Sequence, residues 1–268
     1  MKEKIDFLIP CGRNSEMYVQ FLIKSIERTS SVFNFRFLLG INDNFVSRER
    51  LEKISSEHEI EILDCRSEGV SSYGHGESLD KLFNHVKSKF FIICDCDVAF
   101  LTLGWDGLLI KEFENNSSVA AVGSEYDGKK YMNFPNVVMC MMKTEVIREC
   151  NVSFLPKPAH ERKIVIDEKT SKIYGREIGE TIDLDTGWQL CHNLATSGYL
   201  GKALPLRRKS AGDECFFIPE GVRGEEYILE KLPICTHVGR SFSRDFNDPI
   251  VQNWRKAVTL WLDRSERL

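Results

Sequence analysis

Residues 1–100 alternate between short apolar runs and longer segments whose apolar residues recur at helical spacing. The apolar runs have the length of strands, and polar turn residues separate them from the amphipathic segments. The predicted strands cover residues 5–11, 35–41, 60–63 and 90–94, and the predicted helices cover residues 16–28, 48–57 and 78–86. Strict alternation of strand and helix predicts a parallel sheet with right-handed crossovers. This part is typical of a Rossmann-like nucleotide-binding half.

The remainder of the chain continues with both kinds of element, but less regularly. Strands are predicted at 119–123, 136–142 and 200–206, and helices at 103–113, 145–150, 186–196 and 249–262. Residues 156–179 are mixed in charge and lack apolar periodicity, so they are predicted to form a long excursion. The fold class is therefore α/β, with a single mixed, mostly parallel sheet flanked by helices.

Composition narrows the class of protein. The chain has 268 residues with 42% hydrophobic content, which is enough for one large domain. A formal net charge of −4 argues against nucleic acid as a partner. The nine cysteines contain no Cys-x-x-Cys pair, which indicates reduced thiols. No apolar stretch has the length of a membrane span, and the charged N-terminus is unlike a signal peptide, so we expect a cytoplasmic protein, compatible with peripheral membrane association.

Two carboxylates follow the most apolar strand directly. Phe90–Cys94 is followed by Asp95, Cys96 and Asp97. In open α/β sheets ligands bind beyond the carboxyl ends of the strands, and two acidic side chains there can hold a divalent cation. The alternative is that these aspartates only stabilise the next turn. Because the chain has neither G-x-G-x-x-G after its first strand nor a P-loop, a cation held by Asp95 and Asp97 is the natural candidate for binding phosphates.

The ordered set of motifs resembles the family 2 glycosyltransferases and their GT-A relatives. The resemblance extends from Ile5 to about His237. It rests on Pro10 and Arg13 in the opening turn, Asp43 in the second turn, His75 in the glycine-containing loop, Asp95-Cys96-Asp97, the segment from Asp183 to Leu190, and His237 before Gly239-Arg240-Ser241. The chain departs from the family pattern in two places: Asp43 is the one carboxylate of the second turn, and Asp183 and Asp185 replace the common Glu-Asp pair.

The resemblance implies a single GT-A domain over residues 1–268. Residues 1–100 would bind a nucleotide sugar, residues 101–245 would bind the acceptor, and residues 246–268 would form a C-terminal helix. It implies a metal-dependent hexosyltransferase that moves a sugar from a nucleotide sugar, UDP-sugar being the common case, to a glycan or other hydroxyl acceptor. The implied metal ligands are Asp95, Asp97 and His237 with Mn²⁺ or Mg²⁺. The implied donor-binding residues are Pro10, Arg13, Asp43, His75, Asp95 and Arg240.

Several roles stay open at this point. An inverting reaction needs a general base, for which Asp185 is the first candidate and Asp183 the second; Asp185 is alternatively a helix N-cap. A retaining reaction would need no such base. His237 is a metal ligand or a histidine hydrogen-bonded at a strand end. Two other functions compete: a nucleotidyltransferase, which would normally carry a glycine-rich basic loop after the first strand, and an inactive carbohydrate-binding protein on the same fold.

Overall fold

The structure, a computed structural model, describes residues 3–54, 56, 58–67, 69, 71–126, 128, 130–239 and 244–265. In chain order its strands are β1 (Lys4–Cys11), β2 (Asn34–Ile41), β3 (Glu59–Asp64), β4 (Phe90–Cys94), β5 (Val98–Phe100), β6 (Val119–Ser124), β7 (Met139–Lys143), β8 (Lys163–Val165), β9 (Thr181–Asp183), β10 (Leu200–Leu204), β11 (Leu206–Arg207), β12 (Glu225–Leu229) and β13 (Leu232–His237). The helices are α1 (Ser15–Thr29), α2 (Arg48–Glu52), α3 (Ser72–Phe83), α4 (Trp105–Asn115), α5 (Thr144–Glu149), α6 (Glu168–Tyr174), α7 (Trp188–Thr196) and α8 (Pro249–Ser265), with a 3-10 turn at Lys209–Ala211.

Seven strands form the main sheet in the order β10-β6-β7-β4-β1-β2-β3. Six of them run in the same direction, and β7 is antiparallel to its neighbours β4 and β6. The predicted mixed, mostly parallel sheet flanked by helices is thus confirmed. Two smaller sheets add to it: a four-stranded sheet in the order β11-β12-β13-β5, and the antiparallel pair β8-β9.

The main sheet is buried on both faces. In β1, Ile5, Phe7 and Ile9 belong to one apolar cluster, whereas Leu8 belongs to the other. The first cluster includes buried residues of α1, α4 and α8, and the second includes buried residues of α3, α5 and α7. Successive side chains of a strand point to opposite faces, so a strand covered on both sides has a continuous apolar sequence. This is why the central strands were evident in the sequence.

One ion pair is buried beside the main sheet. The carboxylate of Asp6 in β1 accepts hydrogen bonds from Nε and Nη2 of Arg36 in β2, both at 2.9 Å. It also accepts from the backbone N–H groups of Lys87 and Ser88. Both carboxylate oxygens therefore accept hydrogen bonds, which is the condition for a buried charge to be tolerated. The pair ties β1 and β2 to the segment that leads into β4.

Other segments differ from their predictions. Residues 156–179 are not an unstructured excursion: they contain β8 and α6, and β8 pairs with β9. Helix α2 ends at Glu52 rather than residue 57, and α3 begins at Ser72, inside the predicted glycine loop. The β12-β13 hairpin was not predicted, because its turn residues Glu230 and Lys231 adopt positive φ of 50° and 70° without the Asn-Gly that normally marks such a turn.

All nine cysteines are free thiols, as expected, and none is exposed. Helix α8 closes the described part of the chain and packs on the four-stranded sheet, where the indole N–H of Trp254 donates to Oγ1 of Thr236. Within the described residues, no helix combines the length and the apolar character that crossing a membrane requires.

Candidate metal and nucleotide site

Three potential metal ligands converge beyond the carboxyl end of β4. One ligand atom each of Asp95, Asp97 and His237 lie within 4.8 Å of one another. Asp95 and Asp97 follow β4, and His237 ends β13, which pairs with β5 so that His237 lies opposite Val98. Nε2 of His237 is 3.3 Å from Oδ1 of Asp97. The three residues predicted as metal ligands are therefore adjacent in space.

The other nitrogen of His237 faces a carboxylate. Glu225 and His237 are register partners in the β12-β13 pair, and 3.3 Å separates Nδ1 of His237 from Oε2 of Glu225. Glu225 is itself held by the hydroxyl of Tyr227 at 2.8 Å and by Nε of Arg208 at 2.8 Å. A carboxylate on the far nitrogen fixes the orientation of a ligating imidazole, as is usual at metal sites.

The electrostatics of the cluster favour added positive charge. Burial and the neighbouring Asp97 raise the pKa of Asp95 to about 7. Although burial opposes a charged imidazole, Asp97 and Glu225 raise the pKa of His237 well above its usual value. Although burial opposes ionisation, His237 and Arg208 lower the pKa of Glu225 to about 2. A divalent cation would supply the positive charge that this cluster favours. Two carboxylates with one imidazole form a mixed oxygen and nitrogen ligand set, which suits Mn²⁺.

A cavity of about 680 Å³, here called the strand-end cavity, opens next to this cluster. Its lining includes residues that follow β1, β2 and β4, together with the first turn of α3 and His237: Pro10, Gly12, Arg13, Ser15, Asn42, Asp43, Phe45, Gly69, Ser71, Ser72, Gly74, His75, Asp95, Cys96, Asp97 and His237. Five of the six predicted donor-binding residues thus line one cavity. The sixth, Arg240, lies outside the described residues.

The turns after β1 and β2 are joined by Asp43. Its Oδ2 accepts from the backbone N–H of Arg13 at 2.8 Å, and its Oδ1 accepts from the backbone N–H of Phe45 at 2.8 Å. The guanidinium of Arg13 lies over the ring of Phe45, 5.2 Å from its centroid, and Phe45 is 72% exposed. An exposed aromatic face at the rim of a polar cavity offers a stacking surface for a planar ring.

His75 projects from the first turn of α3 toward the aspartates. Its Nε2 is 3.6 Å from Oδ1 of Asp95, and within the described part of the chain this buried nitrogen has no hydrogen-bond partner. Burial lowers the pKa of His75 to about 4, so the ring is neutral near pH 7. Ser71, the residue before α3, has φ 56° and ψ −131°, a strained conformation for a residue other than glycine. Strain at the entrance of a helix that lines a cavity is a common feature of binding sites.

The two rival base candidates belong to a second charged cluster. Arg162 bridges them, with Nε 2.5 Å from Oδ1 of Asp183 and Nη2 2.5 Å from Oδ1 of Asp185. Nζ of Lys130, a buried residue, lies 3.1 Å from Oδ2 of Asp185. Although burial opposes ionisation, Lys130 keeps the pKa of Asp185 below its usual value. Gly187, not Asp185, precedes α7 as its N-cap, so capping does not explain Asp185.

The segment that carries Asp185 contacts the helix that lines the strand-end cavity. The hydroxyl of Thr186 donates to the carbonyl of Ser72 at 2.9 Å, which joins the Asp185 segment to the first turn of α3. A Cβ on Gly76 would come within 2.6 Å of the carbonyl oxygen of Phe154, so only glycine permits α3 to approach Phe154 this closely. The same carbonyl accepts a hydrogen bond from the backbone N–H of Gly187, two residues after Asp185. Neither Asp183 nor Asp185 lines the strand-end cavity, but the charge of Asp185 acts on His75.

Three charged residues of these clusters were not predicted from the sequence: Lys130, Arg162 and Glu225. A predicted hairpin ending at His237 would have indicated Glu225, because such a hairpin places a residue of β12 opposite His237. Lys130 and Arg162 carry no local signal, since each lies among other charged residues and meets its partners only through the tertiary fold.

Comparison with known proteins gives structural likeness without sequence likeness. No protein-family model matches the chain, and no curated protein matches it either. Among solved structures, the chain is similar to a mannosyltransferase, PcManGT, from Pyrobaculum calidifontis in complex with GDP-Man and Mn²⁺, with a TM-score of 0.49 and 11% identity over 76% of this chain and 55% of that one.

Two further solved structures are similar at lower scores. TarS 1-349 of S. aureus gives a TM-score of 0.41 and 14% identity over 60% of this chain and 53% of that one. Glucosyl-3-phosphoglycerate synthase from Mycobacterium tuberculosis, in complex with Mn²⁺, UDP-Glc and glycerol 3-phosphate, gives a TM-score of 0.38 and 12% identity over 55% of this chain and 58% of that one. The chain spans little more than half the length of these structures.

Proposed function

We propose that this protein is a metal-dependent glycosyltransferase that uses a nucleotide-sugar donor and a hydroxyl acceptor. The observation that carries the proposal is the meeting of Asp95, Asp97 and His237 at the wall of the strand-end cavity. A cavity that combines a cation-binding cluster with polar turns and an exposed aromatic ring matches what a nucleoside diphosphate presents: two phosphates, a ribose and a planar base.

The positions of the lining residues support a role for each in binding the donor. The turns carrying Arg13, Asp43 and Phe45 receive the base and ribose, and Phe45 offers the stacking surface. Asp97 and His237 would hold the cation, and Asp95 would face the ribose or sugar. When bound, the cation neutralises the negative charge that grows on the diphosphate leaving group. UDP is the first nucleotide to test, because the GT-A resemblance makes it the common case.

Asp185 is the proposed general base of an inverting reaction. Its pKa is lowered, so the carboxylate is ionised near pH 7 and able to accept a proton from the acceptor hydroxyl. Two cations, Lys130 and Arg162, fix its position. Asp183 is the second candidate, and it is more exposed than Asp185 (32% against 19%). The deeper carboxylate is better placed to accept a proton away from water.

The test is ligand-dependent thermal stability. Wild-type protein is melted with Mn²⁺ together with UDP, GDP or CMP, and with each component alone. A ligand present at about 100 times its dissociation constant stabilises the folded state by about 2.7 kcal/mol. We expect one nucleotide to raise the melting temperature with Mn²⁺ and much less without it, and Asp97→Asn to lose that dependence. Asp263→Asn, at an exposed aspartate of α8, is the matched control and should behave as wild type.

Nucleotide-sugar turnover then separates an enzyme from a binding protein. A transferase slowly hydrolyses its donor when no acceptor is present, so Mn²⁺-dependent release of the nucleoside diphosphate is expected from wild type and not from Asp97→Asn. Binding without any turnover would support the inactive carbohydrate-binding alternative. Identical melting curves under all conditions would refute the proposal.

A further inference from the structure

A second cavity, of about 810 Å³, shares His237 with the strand-end cavity. We call it the hairpin cavity, because Glu225 and His237 of the β12-β13 hairpin form one wall and residues 208–210 and 220–224 form the others. The two ring nitrogens of His237 contact different groups. Nε2 faces Asp97 of the strand-end cavity, and Nδ1 faces Glu225 of the hairpin cavity. His237 therefore belongs to the walls of both cavities.

The hairpin cavity has an excess of positive charge. Of its three basic residues, Arg208 forms an ion pair with Glu225. Among the residues that the structure describes, the side chains of Lys209 and Arg223 form no ion pair or hydrogen bond with any other group. Glu220 is the remaining carboxylate on the wall. The side chains of Lys209 and Arg223 outnumber the single carboxylate of Glu220, so the cavity favours an anionic ligand. Lys and Arg side chains are the usual partners of phosphate.

The hairpin cavity also lies near the charged cluster of Asp185. Burial raises the pKa of Tyr126, and the charges of both Asp185 and Glu225 raise it further. Nζ of Lys130, which contacts Asp185, lies 4.2 Å from the centroid of the Tyr126 ring. The neighbouring Glu125 accepts a hydrogen bond from the backbone N–H of Leu206 in β11, the strand that pairs with β12 of the hairpin. A ligand in this cavity would lie next to His237 of the metal cluster, which is where the second substrate of a transfer reaction has to approach.

We propose that the hairpin cavity is the acceptor site, and that the acceptor carries a phosphate group near its reactive hydroxyl. This inference rests on the proposed glycosyltransferase function. In the reaction, the acceptor oxygen bonds to the anomeric carbon of the donor sugar while the bond from that carbon to the diphosphate breaks. The diphosphate leaves with the electron pair, and Asp185 takes the hydroxyl proton. Lys209 and Arg223 bind the acceptor phosphate and so orient the hydroxyl.

Direct binding tests the site without knowledge of the donor sugar. Calorimetry is carried out with inorganic phosphate, glucose 6-phosphate and glucose, in the presence of Mn²⁺ and the nucleotide that binds. Wild type should bind the two phosphates and not glucose. Arg223→Ala and Lys209→Ala should each weaken phosphate binding at least about tenfold, the usual effect of losing a charge-assisted hydrogen bond. Lys24→Ala, at an exposed lysine of α1 remote from both cavities, should change nothing.

Further measurements separate the sources of the phosphate and the causes of any loss. Sedimentation with vesicles of phosphatidic acid, compared with phosphatidylcholine, distinguishes a lipid phosphate from a soluble one. Arg223→Lys should retain most of the binding, and melting curves check that each variant is folded.

Each remaining outcome overturns the inference in a recognisable way. Mn²⁺–nucleotide binding without phosphate binding would leave the proposed function standing and remove the acceptor site. Weaker nucleotide binding by Arg223→Ala or Lys209→Ala would assign these cations to the donor diphosphate. Equal phosphate affinity in wild type and both variants would place the phosphate elsewhere. Phosphate binding in a protein that binds no nucleotide would remove both the acceptor role and the proposed function.

Discussion

Glu225 and His237 lie opposite each other in the β12-β13 hairpin, with Oε2 of Glu225 3.3 Å from Nδ1 of His237. The contact leaves Nε2 of His237 directed at Asp97. Because the hydrogen bond on Nδ1 determines which nitrogen of a neutral imidazole is free to ligate, Glu225 would orient His237 in the proposed metal site without itself being a ligand.

We expect Glu225→Gln to weaken Mn²⁺ binding about 10–100-fold, because loss of a partner behind a metal ligand typically has that effect. The substitution keeps the size of the side chain while removing its charge. Calorimetric titration with Mn²⁺ measures the affinity, and Glu214→Gln, at an exposed glutamate outside both cavities, is the control. Unchanged Mn²⁺ affinity in Glu225→Gln would show that His237 does not depend on this contact or does not bind the metal.

The base assignment is tested by Asp185→Asn beside Asp183→Asn. If Asp185 is the base, its variant should transfer sugar about 10²-fold or more slowly, with donor affinity nearly unchanged. Asp183→Asn should have a smaller effect, because it weakens the contact with Arg162 but leaves the proposed base, Asp185, in place. Donor affinity and transfer rate are measured on the same preparations. A large loss confined to Asp183→Asn would move the base to that residue, and normal rates in both variants would indicate a retaining reaction.

Lys130 should set the acid side of the pH–rate profile. Burial alone would raise the pKa of Asp185, and Lys130 is the main cause that lowers it. The base works in its ionised form, so activity is present above the pKa of Asp185 and falls as pH drops through it. Lys130→Met should therefore shift the acid limb of kcat/KM to higher pH. The exposed Lys111 of α4 provides the control, Lys111→Met, whose profile should match wild type. An unshifted acid limb in Lys130→Met would mean that Asp185 is not the titrating base.

The buried pair of Asp6 and Arg36 should dominate the response of stability to acid. Although burial opposes ionisation, Arg36 and two backbone N–H groups keep the pKa of Asp6 below its ordinary value of 3.8. The carboxylate thus stabilises the fold fully above that value, and the contribution is lost as pH falls through the lowered pKa. Asp6→Asn should reduce the free energy of unfolding by about 3–5 kcal/mol at neutral pH, the usual result of breaking a buried pair.

Urea denaturation across the acid range measures this effect. The difference between wild type and Asp6→Asn should shrink as pH falls below about 3.8, the ordinary pKa of Asp6. Asp263→Asn removes the exposed partner of Arg28 and should alter the unfolding free energy by less than about 1 kcal/mol. A constant difference between wild type and Asp6→Asn at all pH values would show that the ionised carboxylate is not what stabilises the fold.

The central strands and the aspartates after them were predictable because burial on both faces leaves a local signature. Phe90–Cys94 is apolar throughout, and Asp95 and Asp97 stand where such a strand must end. The sequence also placed His237 among the ligands, but only through resemblance to a family. What brings His237 to Asp97 is the pairing of β13 with β5, two short strands far apart in the chain.

The remaining parts of the site depend on contacts that no local pattern encodes. Glu230 and Lys231 have no intrinsic preference for positive φ, so the tertiary fold imposes this turn on them. The sequence therefore predicts neither the hairpin nor the position of Glu225. β8, α6 and β9 have much exposed surface, so residues 163–183 are polar. Their composition is that of a loop, and the sequence therefore predicts no regular structure there. Arg162, which directly precedes this segment, contacts Asp185 only in the folded protein.

The antiparallel strand β7 has a consequence for how this chain can be divided. β4 is followed directly by Asp95 and Asp97, the proposed metal ligands, and pairs with β1 on one edge and with β7 on the other. A fragment that stops before Met139 would therefore leave the backbone N–H and C=O groups along one edge of β4 unpaired, and open edges of this kind promote aggregation. Any recombinant transfer of residues 1–100 to another protein has to include β7, or supply a substitute strand.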